Sequence, residues 1–262
     1  MRVARLSGVA SGVIVGLIIL LGPAARADLV GLYRFEDATN PGADSSPAGN
    51  NLTAFGGWGI DPNGKFGQGL SFNGFDAVLG IDDGTGVPDD NRLPNGYPFD
   101  HSSYTLAAWV NTSSLVNDGF QSQLGIIGWG FYGNAGRVIA LRLKNDGNPG
   151  VTGIRHYWWS RDLDINGINL SDGTYHHIVA TYDAGTMVRQ IYIDGSLAGS
   201  DSPSALPNNP AASFRIGRTY DAGREYFQGT MDDVAVFNQS LTSDQILKIM
   251  GGDFSDFGVP PP

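Results

Sequence analysis

The sequence feature that most constrains the fold is a series of short apolar runs. Residues 105–110, 138–143, 178–182 and 190–193 are four of them, rich in β-branched and aromatic side chains and bounded by Gly, Asn, Asp or Pro. Runs of this length and composition are typical of strands and are too short for most helices. The 38 glycines suit a chain with many tight turns. The sequence therefore predicts an all-β protein.

Two short segments have the composition of hairpin turns. Residues 183–186 separate two apolar runs, and Gly185 can adopt the left-handed conformation that such a turn requires. Asp194-Gly195 is a pair typical of a type I′ turn. Together they predict a three-stranded meander over residues 175–199.

One helix is predicted after residue 27, over residues 242–250. Thr242 and Gln245 have the spacing of a capping box. The segment also has an apolar face, formed by Ile246, Leu247, Ile249 and Met250. We expect this helix to pack as a lid on one end of the fold.

Residues 1–27 have the pattern of a cleavable signal peptide. Arg2 and Arg5 precede an uncharged stretch over residues 9–21, and Ala25 and Ala27 fit a small-residue cleavage site. The stretch is short for a membrane span, which favours cleavage after Ala27 over the alternative of an uncleaved anchor. The protein is therefore predicted to be secreted, or to reach the cell surface or periplasm, with no membrane span in the mature chain.

The mature chain would be strongly acidic. The whole chain has 16 Lys and Arg against 26 Asp and Glu, and cleavage removes three Arg and no acids, which leaves 13 against 26. This balance argues against nucleic-acid backbones and anionic membrane surfaces as partners. The chain has no Cys, so an exported fold must rest on a sizeable core rather than on disulfides.

No break divides the remaining chain into separate domains. We predict one domain over residues 28–252 and a Pro-rich, disordered tail over residues 253–262. Long polar loops are expected at 82–100 and 200–210, and loops of such length inside a compact domain are often functional.

Short motifs follow one another in a fixed order along the mature chain. They occupy residues 31–36 with 44–50, 67–74, 104–110, 173–182, 191–195 and 229–241. This order resembles the laminin-G-like domains of bacterial exported proteins, within the concanavalin A-like lectin/glucanase superfamily. Pro47 stands where those domains usually have Gly. The resemblance implies a jelly-roll sandwich of two curved antiparallel sheets, to which the sequence adds one short C-terminal helix.

Catalytic motifs are scarce. A retaining glucanase needs two carboxylates on neighbouring positions of one face, but Glu36 and Glu225 are the only glutamates and lie far apart in sequence. Asp162 and Asp164 would share a face if they were on a strand, and they are the alternative pair. No Gly-x-Ser-x-Gly or zinc motif is present. The protein is therefore not predicted to be an enzyme.

Calcium is the expected cofactor, since it prefers oxygen ligands from Asp, Asn and backbone carbonyls. The resemblance implies a structural calcium ion held by Asp44, by Asn50 or Asn51, and by Asp232. The alternative is that these residues serve as turn formers, which accept hydrogen bonds from nearby backbone amides. The acid-rich segment 82–91 is a second, weaker candidate.

The candidate ligand-binding surface centres on consecutive aromatic residues. Trp158 and Trp159 would point to opposite faces of a strand, so that one enters the core and the other is exposed to stack on a sugar ring. The predicted binding residues are Trp158, Arg155, Arg161, Arg218, Tyr220 and Arg224. Trp129, Phe131 and Tyr132 form a second aromatic segment. The alternative is that most of these aromatics pack in the core.

These observations lead to one expected function and two alternatives. We expect a non-catalytic extracellular binding module for glycans or for a cell-surface partner. The first alternative is a polysaccharide hydrolase or lyase that uses Asp162 and Asp164. The second is a structural component of the cell surface or matrix.

Overall fold

The computed structural model describes residues 28–113, 123–131, 137–145, 152–204, 213–219 and 225–260. The predicted signal peptide lies outside the described residues, so its cleavage stays a prediction. Among the residues described, no helix is long and apolar enough to cross a bilayer.

The described residues form fifteen strands, one α-helix and one 3₁₀ turn. The strands are β1 (Leu29–Tyr33), β2 (Thr53–Phe55), β3 (Gly59–Asp61), β4 (Gly69–Asn73), β5 (Val78–Gly80), β6 (Tyr104–Asn111), β7 (Gln123–Gly130), β8 (Val138–Asn145), β9 (Thr152–Tyr157), β10 (Leu163–Ile165), β11 (Tyr175–Asp183), β12 (Val188–Ile193), β13 (Ser196–Asp201), β14 (Arg215–Ile216) and β15 (Gln228–Phe237). The helix α1 is Ser243–Met250 and the 3₁₀ turn is Ser255–Phe257.

The strands make two antiparallel sheets. An eight-stranded sheet has the order β13-β12-β11-β6-β15-β4-β3, with β1 also paired to β15. A seven-stranded sheet has the order β10-β9-β8-β7-β14-β5-β2. Neighbours that are distant in sequence, such as β6 beside β15, show that the chain crosses repeatedly between the layers. The predicted fold class, an all-β sandwich with one short helix near its C-terminal end, is confirmed for the described part of the chain.

The main core lies between the sheets, and strand alternation builds it. Successive side chains of a strand point to opposite faces. In β6 the inward positions Tyr104, Leu106, Ala108 and Val110 belong to one large buried cluster, which includes Leu141 and Ile154 of the facing sheet. The short apolar runs seen in the sequence are therefore inner strands of this sandwich.

The predicted meander is confirmed. Strands β11, β12 and β13 pair in sequence order, with Ile178 opposite Ile193 in the first pair. Asp194 and Gly195 have φ angles of 49° and 77°. Two positive φ angles in succession define the type I′ turn that the Asp-Gly pair predicted.

Helix α1 begins where the capping box predicted. The backbone amide of Gln245 donates to Thr242 Oγ1 at 3.3 Å, and the amide of Thr242 donates to Gln245 Oε1 at 2.9 Å. The position of the helix differs from the prediction. Ile246 and Ile249 pack with Ala107, Val179 and other outward residues of the eight-stranded sheet. The helix therefore covers a sheet face and is not a lid on the end of the sandwich.

The predicted disordered tail is wrong for residues 253–260. Phe254, Phe257 and Val259 are all buried in the cluster beneath α1. The ring centroids of Phe257 and Phe237 lie 4.7 Å apart in an edge-on arrangement. The domain therefore extends at least to Val259, because these apolar side chains complete the outer face of the eight-stranded sheet.

Both ends of the described chain meet on this side of the molecule. Residues 28–30 and 257–258 line one cavity of about 630 Å³. The amide of Asp28 also donates to Asn238 Oδ1 at 3.0 Å, next to the end of β15.

Candidate functional site

The outer face of the seven-stranded sheet carries an unusual set of charged and aromatic residues. In β8, Ile139, Leu141 and Leu143 point into the core, so the alternate residues Val138, Ala140, Arg142 and Lys144 point outward. On β9, Arg155 lies opposite Arg142 and Tyr157 lies opposite Ala140. We call this surface the outer face; it comprises Val138, Ala140, Arg142, Lys144, Arg155, Tyr157, Asp164 and the adjoining Trp159, Asp162 and Glu225.

Arg142 is the centre of the outer face. Its guanidinium lies 3.6 Å from the centroid of the Tyr157 ring, and its Nη1 donates to Glu225 Oε2. Glu225 is fixed in turn, since Thr219 Oγ1 donates to the same carboxylate at 3.1 Å and Gly125 N donates to its carbonyl at 3.0 Å. Burial raises the pKa of Tyr157 to about 12, so this phenol stays neutral and able to donate.

Arg155 anchors a second ion-pair group. Its Nε and Nη2 donate to the two carboxylate oxygens of Asp164 at 2.7 Å each, and Lys144 Nζ donates to Asp164 at 2.8 Å. Asp162 lies 3.4 Å from Arg155 Nη1. Burial alone would raise the pKa of Asp164, but the hydrogen bonds from Arg155 and Lys144 outweigh it and lower that pKa. Asp164 is therefore held ionised, which does not suit a general acid.

Trp158 requires a correction. The sequence interpretation placed it among the exposed binding residues, but it is fully buried. Its Nε1 donates to Tyr104 OH at 2.7 Å, and the guanidinium of Arg189 lies 4.2 Å from its ring centroid. Trp158 offers no free face to a ligand, because both its faces and its N–H are used inside the sandwich.

Trp159 takes the outward position instead. Strand β9 ends at Tyr157, and Trp159 and Ser160 adopt φ angles of 46° and 62°. This turn leaves Trp159 half-buried against Val138, Ala140 and Tyr157. The prediction that the two tryptophans face opposite sides was right, and the choice between them was wrong.

The structure describes only some of the other candidate binding residues. Arg161 follows the same turn, and its carbonyl accepts from Arg189 Nη1 at 2.7 Å. The Arg218 guanidinium lies 5.1 Å from the Tyr226 ring centroid. Tyr220, Arg224 and Tyr132 lie outside the described residues. In the second aromatic segment, Trp129 is a core residue and Phe131 is 38% exposed.

Sequence reasoning missed Arg142, Tyr157 and Glu225 as a group. Residues 142 and 225 are separated by 83 positions, and their contact depends on how the segment after β14 folds over Gly125. One sequence signal was available for part of this group. Arg155 and Tyr157 are two residues apart, and residues two apart on a strand share a face.

The Asp44 loop uses its polar groups internally. Asp44 Oδ1 accepts from the amides of Leu32 and Ser46, each at 2.8 Å. Its Oδ2 accepts from Ser46 Oγ at 2.8 Å and from the Asn50 amide at 2.6 Å. The Asn50 side chain in turn donates to the carbonyls of Val30 and Asn95, at 2.8 Å each. Asp44 and Asn50 therefore stabilise the turn and the loop that contain them. Since the carboxylate oxygens of Asp44 already accept hydrogen bonds and the Asn50 side-chain nitrogen donates them, these two residues do not fit as ligands of a cation.

Asp232 belongs to a different part of the fold. It is fully buried in β15, where its Oδ2 accepts from the Phe66 amide at 2.8 Å and its Oδ1 from the Asp233 amide at 2.7 Å. Burial raises the pKa of both Asp232 and Asp233 to about 7. Within the described ranges, no three His, Asp or Glu side chains are grouped so that they could hold one metal ion. Calcium binding stays a prediction.

The sandwich and its outer face define a β-sandwich domain of the lectin-like type. The Laminin_G_3 family, described as part of the concanavalin A-like lectin/glucanases superfamily, matches residues 83–247. The chain therefore belongs to this family. No curated protein sequence matches the chain.

Several solved structures share this fold. Domain 4 of AbnA, a GH43 extracellular arabinanase from Geobacillus stearothermophilus solved in complex with arabinotriose, has a TM-score of 0.61 at 19% identity, covering 86% of this chain and 99% of that one. The binding domain of Paraclostridial Mosquitocidal Protein 1 has a TM-score of 0.61 at 15% identity over 86% of this chain, and the Botulinum neurotoxin serotype D binding domain has 0.57 at 12% over the same share. This chain spans about half the length of those two toxin chains, 52% and 51%.

Proposed function

We propose that the protein is an exported, non-catalytic carbohydrate-binding module whose outer face holds an oligosaccharide. The observation that carries the proposal is the placement of the half-buried Trp159 on the same sheet face as the ion-paired Arg155, over the buried side chains of Tyr157 and Arg142. Aromatic rings stack on the apolar faces of sugars, while a few fixed polar groups set orientation. Because the ion pairs already hold these polar groups in place, a ligand would lose little side-chain entropy in meeting them.

Three further observations support this proposal. Domain 4 of the arabinanase, which shares the fold, was solved with arabinotriose bound. The pairing of Asp162 and Asp164 with Arg155 favours structural and binding roles for these carboxylates over acid catalysis. The signal-peptide pattern of residues 1–27 supports export.

Calorimetric titration with a panel of plant, microbial and animal oligosaccharides tests the proposal. We expect Trp159→Ala to weaken binding at least tenfold, because stacking on this ring is lost. Leu247→Ala is the matched control, since Leu247 is 48% exposed on α1, against the other sheet. Absence of binding to every oligosaccharide would overturn the proposal, and release of reducing sugar from any polysaccharide would overturn its non-catalytic part.

We also propose a structural calcium ion near Asp232, as a separate matter from sugar binding. Its support is the burial of this carboxyl beside Asp233. Arg34 Nε lies 3.6 Å from Asp233 Oδ1, and a calcium ion would supply a second cation that offsets the cost of ionising Asp232. Thermal unfolding with and without millimolar calcium is the test. We expect calcium, but not magnesium, to raise the Tm, and we expect Asp232→Asn to remove the effect. An unchanged Tm would refute the ion.

A further inference from the structure

Three cavities open along the segment that links β5 to β6, and they share lining residues. Their volumes are about 490, 630 and 330 Å³, each within the range of roughly 300–1,000 Å³ that is typical of ligand clefts. Asn95 lines all three. We call this surface the Asn95 groove; the residues that line at least two of its cavities are Leu93, Pro94, Asn95, Gly96 and Asn238. None of these residues belongs to the outer face.

The Asn95 groove is built on a fixed backbone. Asn50 Nδ2 donates to the Asn95 carbonyl at 2.8 Å, and the Asn95 amide donates to Asn50 Oδ1 at 3.1 Å. Two residues further on, Tyr97 is buried and its hydroxyl lies 2.9 Å from Tyr33 OH. A Cβ at Gly31 would overlap the Tyr97 hydroxyl, so the glycine makes room for it. Because Asn50 and Tyr97 already hold this segment, a ligand would not have to order it on binding.

The residues that line the groove include accessible, uncharged ones. Asn95 and Ser102 are exposed, and Phe99 is 49% exposed. Among the lining residues, all of which the structure describes, the charged ones are Asp28 in the 630 Å³ cavity and Arg92 in the 330 Å³ cavity. Carboxamides and hydroxyls both donate and accept hydrogen bonds, as sugar hydroxyls do. An accessible aromatic ring adds an apolar surface on which a sugar ring can pack.

We infer that the Asn95 groove is a second carbohydrate site, and that it takes a neutral oligosaccharide. This goes beyond the proposed function, which places a sugar at the outer face. Asn95 hydrogen-bonds sugar hydroxyls where the three cavities meet, and Phe99 packs against a sugar ring in the 490 Å³ cavity. Cavities that share lining residues in this way suit several linked sugars better than a single one. A charged ligand is disfavoured, because the 490 Å³ cavity has no charged residue in its lining.

Calorimetric titration of the full chain with xylohexaose, cellohexaose and arabinohexaose, each beside its free monosaccharide, tests the inference. We expect at least one hexasaccharide to bind the groove roughly tenfold more tightly than its monosaccharide, because it makes contacts in more than one cavity. Raising the sodium chloride concentration should change this affinity little, since no exposed charge pair is formed. A proline-rich peptide, which is the alternative occupant of such a groove, should not bind.

Variants separate the groove from the outer face. Asn95→Ala and Phe99→Ala should each weaken hexasaccharide binding at the groove roughly fivefold, since each removes a contact worth about 1 kcal/mol. Phe75→Ala is the matched control, because Phe75 is 75% exposed and lines none of the three cavities. Trp159→Ala should leave binding at the groove intact.

The outcomes for the two sites are distinguishable. Binding that Trp159→Ala abolishes and that neither groove variant weakens would overturn the inference and leave the proposed function standing. Binding that the groove variants weaken and Trp159→Ala does not would support the groove and count against the outer face. A peptide that binds the groove when no hexasaccharide does would refute a sugar as its ligand. Failure of every ligand to bind would refute both sites.

Discussion

At the residue scale, two adjacent tryptophans have opposite roles. Trp158 closes a buried polar chain in which its Nε1 donates to Tyr104 OH, and the same hydroxyl lies 2.6 Å from His156 Nε2. Since the indole can only donate, the Tyr104 proton is free for His156. Burial lowers the pKa of His156 well below its usual value, so the ring is neutral and can accept it. Trp158 is therefore a structural residue, and Trp159 is the partly exposed one.

The two tryptophans should differ sharply in stability measurements. Trp158→Ala removes a fully buried ring and its hydrogen bond, and we expect it to lower the free energy of unfolding by about 3–5 kcal/mol. Trp159→Ala should cost well under half of that, because its ring is only half-buried. Urea unfolding followed by circular dichroism measures both. Similar losses for the two variants would contradict this assignment.

The sequence could not choose between these tryptophans. Strand alternation requires that neighbours face opposite ways, but the phase depends on where β9 ends. That point is set by the positive φ angles of Trp159 and Ser160, which non-glycine residues adopt only when the surrounding structure imposes them.

At the element scale, the C-terminal segment is part of the domain. Its Pro-rich end predicted disorder. The sequence interpretation therefore gave no weight to Phe254, Phe257 and Val259, which are the residues that become buried. Helix α1, in contrast, could be predicted to within a residue, because a capping box is a local signal that depends on few distant contacts. Its location on the sheet face was not predictable, since that depends on contacts with strands that lie far from it in sequence.

Removal of residues 253–262 should destabilise the protein. Three apolar side chains would leave the cluster beneath α1, and each buried side chain of this kind contributes about 1.5–3 kcal/mol. We expect a loss of several kcal/mol and a clearly lower Tm in calorimetry. Deletion of residues 261–262 alone is the control and should have little effect. An unchanged Tm for the longer deletion would show that the segment does not stabilise the fold.

At the scale of the whole molecule, the sandwich could be predicted and its binding surface only partly. Short alternating runs and turn pairs define strands and hairpins locally. The outer face combines β8, β9 and β10 with Glu225, and the contact between Glu225 and Arg142 arises only after the long-range crossings are made. Arg155 could be identified as a candidate binding residue because it lies close in sequence to the consecutive tryptophans. Arg142 has no aromatic neighbours of this kind in sequence.

Buried titratable groups in the eight-stranded sheet should make stability depend on pH. Burial lowers the pKa of His177 to about 3, below its unfolded value of about 6.5. This histidine therefore contributes stability above pH 6.5 that is lost as the pH falls toward 3. The raised pKa of Asp232 and Asp233, about 7, acts in the opposite sense, because their contribution is lost as the pH rises from about 4 through 7.

These two effects can be separated by comparing how the stability of a variant and of the unmodified protein depends on pH. The His177→Gln variant should lose less stability than the unmodified protein between pH 7 and pH 5, as measured by urea midpoints. His101→Gln, at an exposed position, is the control. Parallel profiles for the unmodified protein and the His177 variant would show that this buried imidazole does not titrate on unfolding.

The two ends of the described chain lie close together, and this restricts how the domain would be oriented if it were tethered. Residues 28–30 and 257–258 leave the domain from one corner beside the eight-stranded sheet, whereas the proposed sugar face lies on the opposite layer. A tether fixed at residue 28 or residue 258 would therefore lie beside the eight-stranded sheet and point Trp159 away from the attachment point. The thickness of the sandwich would act as a spacer that keeps the aromatic surface clear of whatever carries it.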